Sequence, residues 1–325
     1  MKAILAGLGN FGSEWYRVLQ ERYPHIGIAV VEQDEGRRSL FRGDVPAYRS
    51  LPEAIARERP DFLLNATPPA AHAPLNHIAF DYGLPVLCEK PMADSFEAAI
   101  AMTERASREG IPFMIAENYR WFTIVRQARN IIAGGEIGPV ASARVDFYRN
   151  HRTAQPYFQA MANPLLEDIA IHHFDMMRFL FDCDADRIVA RSFNPPGSGF
   201  ANNVGLHAMV EMGNGAVVSY AGSFVTCGEE TPWHGIWRIE GALGTLMLEA
   251  ERLRIVNADG TRNLSTQGMA EKLCLDEFLD ALQEGRMPEA SGSDYIRTQA
   301  LAHAAQISHA TGRWAAVVPM GEIAR

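Results

Sequence analysis

The sequence predicts an α/β domain built on a doubly wound parallel sheet, followed by an α+β domain with a large, mostly antiparallel open sheet. Three observations point there. A length of 325 residues exceeds what one hydrophobic core usually supports, so two domains are expected. Up to about residue 118, short apolar runs alternate with longer stretches of helical spacing, the pattern of βαβ units. Beyond the Gly134-Gly135 break and Pro139 the runs become strand-like with few helices between them, which suggests antiparallel pairing. The domains are therefore expected at 1–118 and 119–325.

In the first domain the predicted strands are 3–6, 28–31, 62–66, 86–88 and 113–116, each a short apolar run ending at Gly, Pro or a polar residue, as buried parallel strands do. Helical spacing covers 13–22, 52–59, 72–82 and 95–109, with Ser95 as N-cap and Gly110 as the stop. A linking helix over 124–133 leads to strand-like runs at 140–148, 187–193, 205–212, 216–224 and 237–240. Helical spacing returns at 271–284 and 294–311.

Composition agrees with a globular chain: 47% of residues are hydrophobic and 21% charged, enough to bury a core. The net charge of -9 and the lack of a concentrated basic patch argue against nucleic acid as a partner. Cys88, Cys183, Cys227 and Cys274 show no CxxC spacing, so reduced thiols in a cytoplasm are expected. No apolar stretch is long enough for a membrane span, and no signal-peptide core follows the N-terminus.

The turn Gly7-Leu8-Gly9-Asn10-Phe11-Gly12 follows the first strand and opens a helical stretch. In that context the first two glycines allow a tight turn and close approach of backbone to a pyrophosphate, and Gly12 allows helix–strand packing. Glu32, at the end of the second strand, suits hydrogen bonds from ribose hydroxyls, which favours NAD over NADP without excluding the latter. Arg37 and Arg38 could meet a 2′-phosphate, or simply form a solvated helix face.

Two further segments suit hydride chemistry, which needs a group to take a hydroxyl proton and a charge or donor to hold the developing alkoxide. Cys88-Glu89-Lys90-Pro91 ends the strand 86–88, where the carboxyl ends of parallel strands bind ligand. Asp168 and His172 would share one face if 166–178 is an α-helix, with Asp175 one turn further on. An isolated Lys or Asp–His pair reads equally as surface charge or structural hydrogen bond. Glu167 and His173 are adjacent alternatives that would point elsewhere.

Together, the glycine turn, Asn65-Ala66-Thr67-Pro68 followed by His72, the Glu89-Lys90-Pro91 triplet, and Asp168 with His172 ahead of Asp175 resemble the glucose-fructose oxidoreductase / inositol dehydrogenase / rhizopine-catabolism (Gfo/Idh/MocA) family over nearly the whole chain. The resemblance implies a Rossmann domain, an open-sheet domain and substrate held between them. It implies that Lys90, Asp168 and His172 are the catalytic positions, with His172 the acid/base and Lys90 contacting the reacting hydroxyl, and that Lys90-Pro91 is a cis peptide. Association through exposed sheet faces, as homodimer or homotetramer, is implied too. The sequence departs from the family in Asn163-Pro164-Leu165-Leu166-Glu167, where a glycine run is frequent, and in Ala170, where glycine is frequent.

The candidate cofactor-binding set is thus Gly7, Gly9, Asn10, Phe11, Gly12, Glu32, Thr67, Pro68, His72, Glu89 and Lys90. Candidate substrate contacts are Lys90, Asp168, His172, Tyr119, Arg120, His151, Tyr157 and Trp233, with Trp121, Arg152, His234 and Trp237 as further possibilities. Aromatic faces and hydrogen-bonding side chains suit a polyhydroxylated ring, and Arg152 suits an anionic group. No set of ligands at metal spacing is present. The expected activity is NAD-dependent oxidation of a hydroxyl on a sugar, cyclitol or related polyol. The alternatives are a lyase or hydrolase using transient oxidation, and a regulator that senses a dinucleotide or sugar without chemistry.

Overall fold

The structure is a computed structural model that describes residues 1–41, 45–151, 158–159 and 161–318. Its chain divides into two compact units, Met1–Glu117 with Leu273–Ile296, and Asn118–Lys272 with Arg297–Arg325. Among the described residues the strands form two sheets.

The first sheet contains β1 (Lys2–Ala6), β2 (Gly27–Val31), β3 (Ala47–Tyr48), β4 (Phe62–Asn65), β5 (Val86–Cys88) and β6 (Phe113–Ile115), in the order β3-β2-β1-β4-β5-β6. Every pairing is parallel. This is the doubly wound order whose ligand crevice opens at the carboxyl ends of the strands. Residues 3–6 and 62–65 are buried without alternation, because a parallel sheet is covered on both faces. The helices are α1 (Asn10–Arg22), α2 (Glu35–Ser39), α3 (Leu51–Glu58), α4 (Pro69–Asp81) and α5 (Phe96–Glu109). Ser95 caps α5 by accepting from the Ala98 N–H, and Gly110 ends it with φ +67°.

Helices α1 and α4 start three residues before their apolar spacing does, since polar first turns carry no periodic signal. β3 and α2, of two and five residues, are too short to carry a periodic signal. α2 is instead set by Asp34, whose carboxylate accepts from the Arg37 N–H at 2.8 Å.

Residues 273–296 were expected in the second domain, yet they cluster with the first unit. There α8 (Cys274–Glu284) sets Phe278 edge-to-face on Phe62 at 5.5 Å. Tyr23 donates to Asp276 at 2.6 Å, and the Ile115 N–H donates to the Ala290 carbonyl at 3.0 Å.

The second sheet is built from β7 (Val140–Tyr148), β8 (Ala185–Phe193), β9 (Gly205–Met212), β10 (Val217–Ser223), β11 (Ile236–Gly241), β12 (Gly244–Leu248), β13 (Arg252–Asn257), β14 (Gly260–Ser265) and β15 (Ala315–Ala316). Their order is β14-β13-β12-β11-β7-β10-β9-β8-β15. β7 and β10 pair in parallel, and the other described pairings are antiparallel. Buried and exposed residues alternate along β7 and β10, so one face packs inward and the other does not. The helices of this region are α6 (Thr123–Ala133), α7 (Ala170–Phe181) and α9 (Gly292–Thr311). α7 is buried on nearly every side, so it shows little of the amphipathic stripe that marks a surface helix. The strands β12 to β14 were not among those expected: β13 does alternate in polarity and burial over a short run, whereas β14 is polar and exposed almost throughout.

Gly7 and Gly12 are required by close approach. Gly7 has φ +86°, and a Cβ on Gly12 would lie 1.9 Å from the Gly7 carbonyl oxygen. We expect Gly12→Ala to push α1 off β1 and lower the melting temperature of the protein by several degrees, readable by calorimetry. An unchanged melting temperature would show that the turn is not this tightly packed.

Candidate functional site

In the first unit the glycine turn is braced from β2. The Gly7 N–H donates to the Val31 carbonyl at 2.8 Å, and the Leu8 N–H donates to Glu32 Oε2 at 2.8 Å. Glu32 Oε1 accepts the Asp34 N–H at 2.9 Å. Each carboxylate oxygen thus carries one internal hydrogen bond and retains accepting capacity for a ribose hydroxyl. Gly9 is the N-cap of α1 with no side-chain cap, and a Cβ there would meet only Arg37 Nη1, at 3.8 Å. An uncapped helix start beside open space, with a carboxylate at the end of β2, fits a dinucleotide. Arg38 is not the solvated residue that was one of its two readings: its guanidinium donates to the Glu32 carbonyl at 2.5 Å and pairs with Glu35.

Lys90 follows β5, in a cis Lys90-Pro91 peptide. Its ammonium lies 5.9 Å from the ring centroid of Phe11, an exposed residue on the first turn of α1. Glu89 keeps some accessible surface, but its carboxylate accepts from Trp15 Nε1 at 2.7 Å and from the Lys90 N–H at 3.2 Å. Burial pushes its pKa up, against the pull of Trp15 and Lys90.

His72 was expected to touch the cofactor, and here the structure corrects the expectation. The ring is buried, with Nε2 2.7 Å from the Thr67 carbonyl and Nδ1 2.9 Å from the Pro91 carbonyl. Burial lowers its pKa, so the neutral ring donates to one of these carbonyls at a time and packs against the other, filling the space between the Thr67-Pro68 and Lys90-Pro91 turns. Thr67 itself donates to Asn65 Oδ1 at 2.6 Å, and Asn65 donates in turn to Asn76. The bracing by Trp15 and Asn76 carried no sequence signal of its own.

In the second unit, Leu165–Ile169 is a π-helical turn, not part of one α-helix over 166–178. Such turns widen the helix and are frequent at functional sites. Asp168 lies in it, and His172 is the third residue of α7; both are buried. Glu167 is occupied locally by the Asn163 N–H at 3.0 Å. His173 is fully buried between the Tyr220 hydroxyl, 3.1 Å from Nδ1, and the Trp233 carbonyl, 2.9 Å from Nε2. Burial drives its pKa down to about 3, so it is neutral and donates from Nε2. This separates the adjacent imidazoles, leaving His172 as the acid/base candidate.

Arg120 is corrected from substrate contact to core. Its guanidinium grips the buried Asp175 bidentately, at 2.5 and 2.7 Å. Thr298 donates to the same carboxylate at 2.7 Å and accepts from Arg178 at 2.8 Å. This network fixes the 3₁₀ turn Asn118–Trp121 against α7. Tyr119 is as buried as His172 and stacks on it, with ring centroids 4.1 Å apart and planes 12° apart.

His151 and Trp233 do come together, with ring centroids 5.4 Å apart. Phe224 lies edge-on to His151 at 4.8 Å, and Arg149 sits over Trp233 at 4.6 Å. Burial and the Arg149 charge lower the His151 pKa, and its Nε2 is buried without a hydrogen-bond partner among the described residues. Trp233 is 39% exposed, which suits an aromatic wall. Trp121, His234 and Trp237 are buried instead; Trp237 donates to the His234 carbonyl at 2.6 Å. Tyr157 and Arg152 lie outside the described residues. Among the described residues no group of His, Cys, Asp or Glu could hold a metal ion, and no helix is long and apolar enough to cross a membrane.

A doubly wound sheet with a phosphate-binding glycine turn, a strand-end lysine and a second, open-sheet unit defines a dinucleotide-dependent oxidoreductase. Residues 1–117 match the model of the oxidoreductase family with an NAD-binding Rossmann fold, and residues 125–247 match the GFO/IDH/MocA C-terminal domain. The chain belongs to the Gfo/Idh/MocA oxidoreductase family and carries its NAD-binding Rossmann domain. It is 29% identical to D-apiose dehydrogenase of Paraburkholderia graminis, over 96% of this chain and 88% of that one. It is 27% identical to inositol 2-dehydrogenase of Corynebacterium glutamicum, over 67% and 65%. The crystal structure of an oxidoreductase from Agrobacterium radiobacter in complex with NAD+, L-tartaric acid and magnesium is similar at a TM-score of 0.89, with 25% identity and 98% of each chain covered.

The depressed pKa of His173 has a consequence for stability. Below about pH 6.5 the unfolded chain takes up a proton at this residue that the native state refuses until about pH 3. Stability therefore falls as the pH drops through that window, by about 1.4 kcal/mol per pH unit from this group. Urea unfolding at about pH 7 and pH 5.5 should show the average slope over that interval reduced by roughly 0.6 proton in His173→Gln; an equal slope would remove His173 as the cause.

Proposed function

We propose that the protein oxidises a hydroxyl of a sugar, cyclitol or related polyol, reversibly, with NAD as hydride acceptor. The observation that carries this is Lys90, a strand-end ammonium poised over Phe11 at the start of the phosphate-binding helix. In this reading the bound nicotinamide supplies the hydride acceptor. Gly7, Gly9, Asn10, Phe11 and Gly12 hold the pyrophosphate, Glu32 takes a ribose hydroxyl, and Thr67, Pro68, Glu89 and Lys90 frame the remainder. Lys90 holds the substrate oxygen, His172 takes the hydroxyl proton, and Asp168 supports His172. His151 and Trp233 offer an aromatic wall to a sugar ring. The family membership and the names of the relatives support the substrate class. Four free cysteines, two of them buried, support a reducing cytoplasm.

A fluorescence titration with NAD+ and a panel of sugars, cyclitols and sugar acids, followed by absorbance and product analysis, tests this. We expect NADH formation with at least one polyol. Lys90→Ala and His172→Asn should each lower kcat by about 10²–10⁴-fold, with NAD+ affinity kept in His172→Asn. Product without NADH would indicate transient oxidation, and NAD+ binding with no product of any kind would indicate a sensor.

For assembly, we infer a homodimer or homotetramer joined through the outward face of the second sheet. There Met209 and Val217 are 43% and 36% exposed beside Arg144, Ser219 and Arg238, and the family resemblance supports the choice. Sedimentation should find an oligomer that Met209→Glu weakens; a monomer at micromolar concentration would refute it.

A further inference from the structure

We propose that Tyr119 is a positioning residue for His172: its ring, stacked face to face on the imidazole, fixes the plane of that ring and favours its protonated form. The inference rests on the reading of His172 as acid/base. Its geometric basis is the centroid distance of 4.1 Å with an interplanar angle of 12°, at a tyrosine that is only 5% exposed. Tyr119 is further enclosed by Phe122, with centroids 5.0 Å apart, and by the edge of His173 at 5.9 Å. Its backbone cannot withdraw alone, because the next residue, Arg120, is locked to Asp175.

The face of a phenol ring carries negative charge density and attracts a cation placed over it. In alcohol oxidation the O–H bond breaks and its proton passes to a ring nitrogen of His172. The C–H bond breaks with its electron pair, and that hydrogen leaves as hydride to the nicotinamide of NAD. The imidazole goes from neutral to positive during this step, so a stacked electron-rich face favours the transfer as charge develops.

Charged or titratable groups on the elements that adjoin His172 include Asp168 in the π-turn, Asp175 and Arg178 on α7, and Arg120 beside Tyr119, with His151 coupled electrostatically to Asp168. His173 is neutral, and His234 lies behind Phe122, whose ring is 6.1 Å from it. All of these persist when residue 119 alone is changed. A shift in His172 titration on changing Tyr119 therefore reports the ring.

The test is an NMR titration of the His172 ring in the full chain, identified by the signal lost in His172→Asn, alongside pH–rate profiles. Tyr119→Leu should lower the titration midpoint by about 0.5 pH unit, move the rising limb of the oxidation profile to lower pH, and lower kcat about tenfold with KM unchanged. Tyr119→Phe keeps the ring and should restore both midpoint and limb. Tyr119→Met, which fills the volume without a π-face, replaces the leucine variant if that chain does not fold. An unchanged midpoint in both ring-less variants, or a raised KM at unchanged kcat, overturns the proposal. A midpoint shift in a protein that oxidises no polyol would sustain the stacking and overturn the proposed function instead.

Discussion

Asp175 has no exposed surface and Arg120 almost none, so two full charges have been taken out of water. Such charges are tolerated only when each is met by the other and by enough hydrogen bonds. Here the bidentate guanidinium, Thr298 and the neighbouring Arg178 satisfy that demand. Removing either partner would strand a buried charge at a cost of about 3–5 kcal/mol. The interaction also sets geometry, because its fork allows one relative orientation of the turn at Asn118–Trp121 and α7. Tyr119 and His172 inherit their stacking from it.

A comparable economy runs through the first unit. Glu32 and Glu89 were both expected to face the cofactor, and both are committed to the protein, Glu32 to the amides of Leu8 and Asp34, Glu89 to Trp15 and Lys90. Preorganisation of this kind lowers the ordering cost at binding. His72 carries the logic furthest. By donating to one of two carbonyls and packing against the other, it holds the frame in which Thr67 and Lys90 stand without needing any exposed atom of its own.

Much of this was legible in the sequence wherever a physical demand leaves a periodic or compositional trace. The glycine turn showed because Gly12 has no room for a Cβ, and β1, β4 and β5 showed because both their faces are buried. The π-turn before His172 was not legible, since Pro164, Leu165 and Leu166 read equally well as an ordinary helix start. Arg120 and His72, and Trp237 among the further possibilities, could not be placed from sequence for one shared reason. A polar or amphipathic side chain has the same letter whether it lines a cleft or satisfies a partner in the core, and only the partner decides.

The return of Leu273–Ile296 to the first unit bears on how the chain is made. Phe62, Tyr23 and Ile115 wait for partners, at Phe278, Asp276 and Ala290, that leave the ribosome more than 150 residues later, counted along the sequence. The nucleotide-binding half, although it occupies the N-terminus, is therefore among the last parts of the molecule to be finished. Until then its apolar flank is a surface that the growing chain must keep from sticking to others.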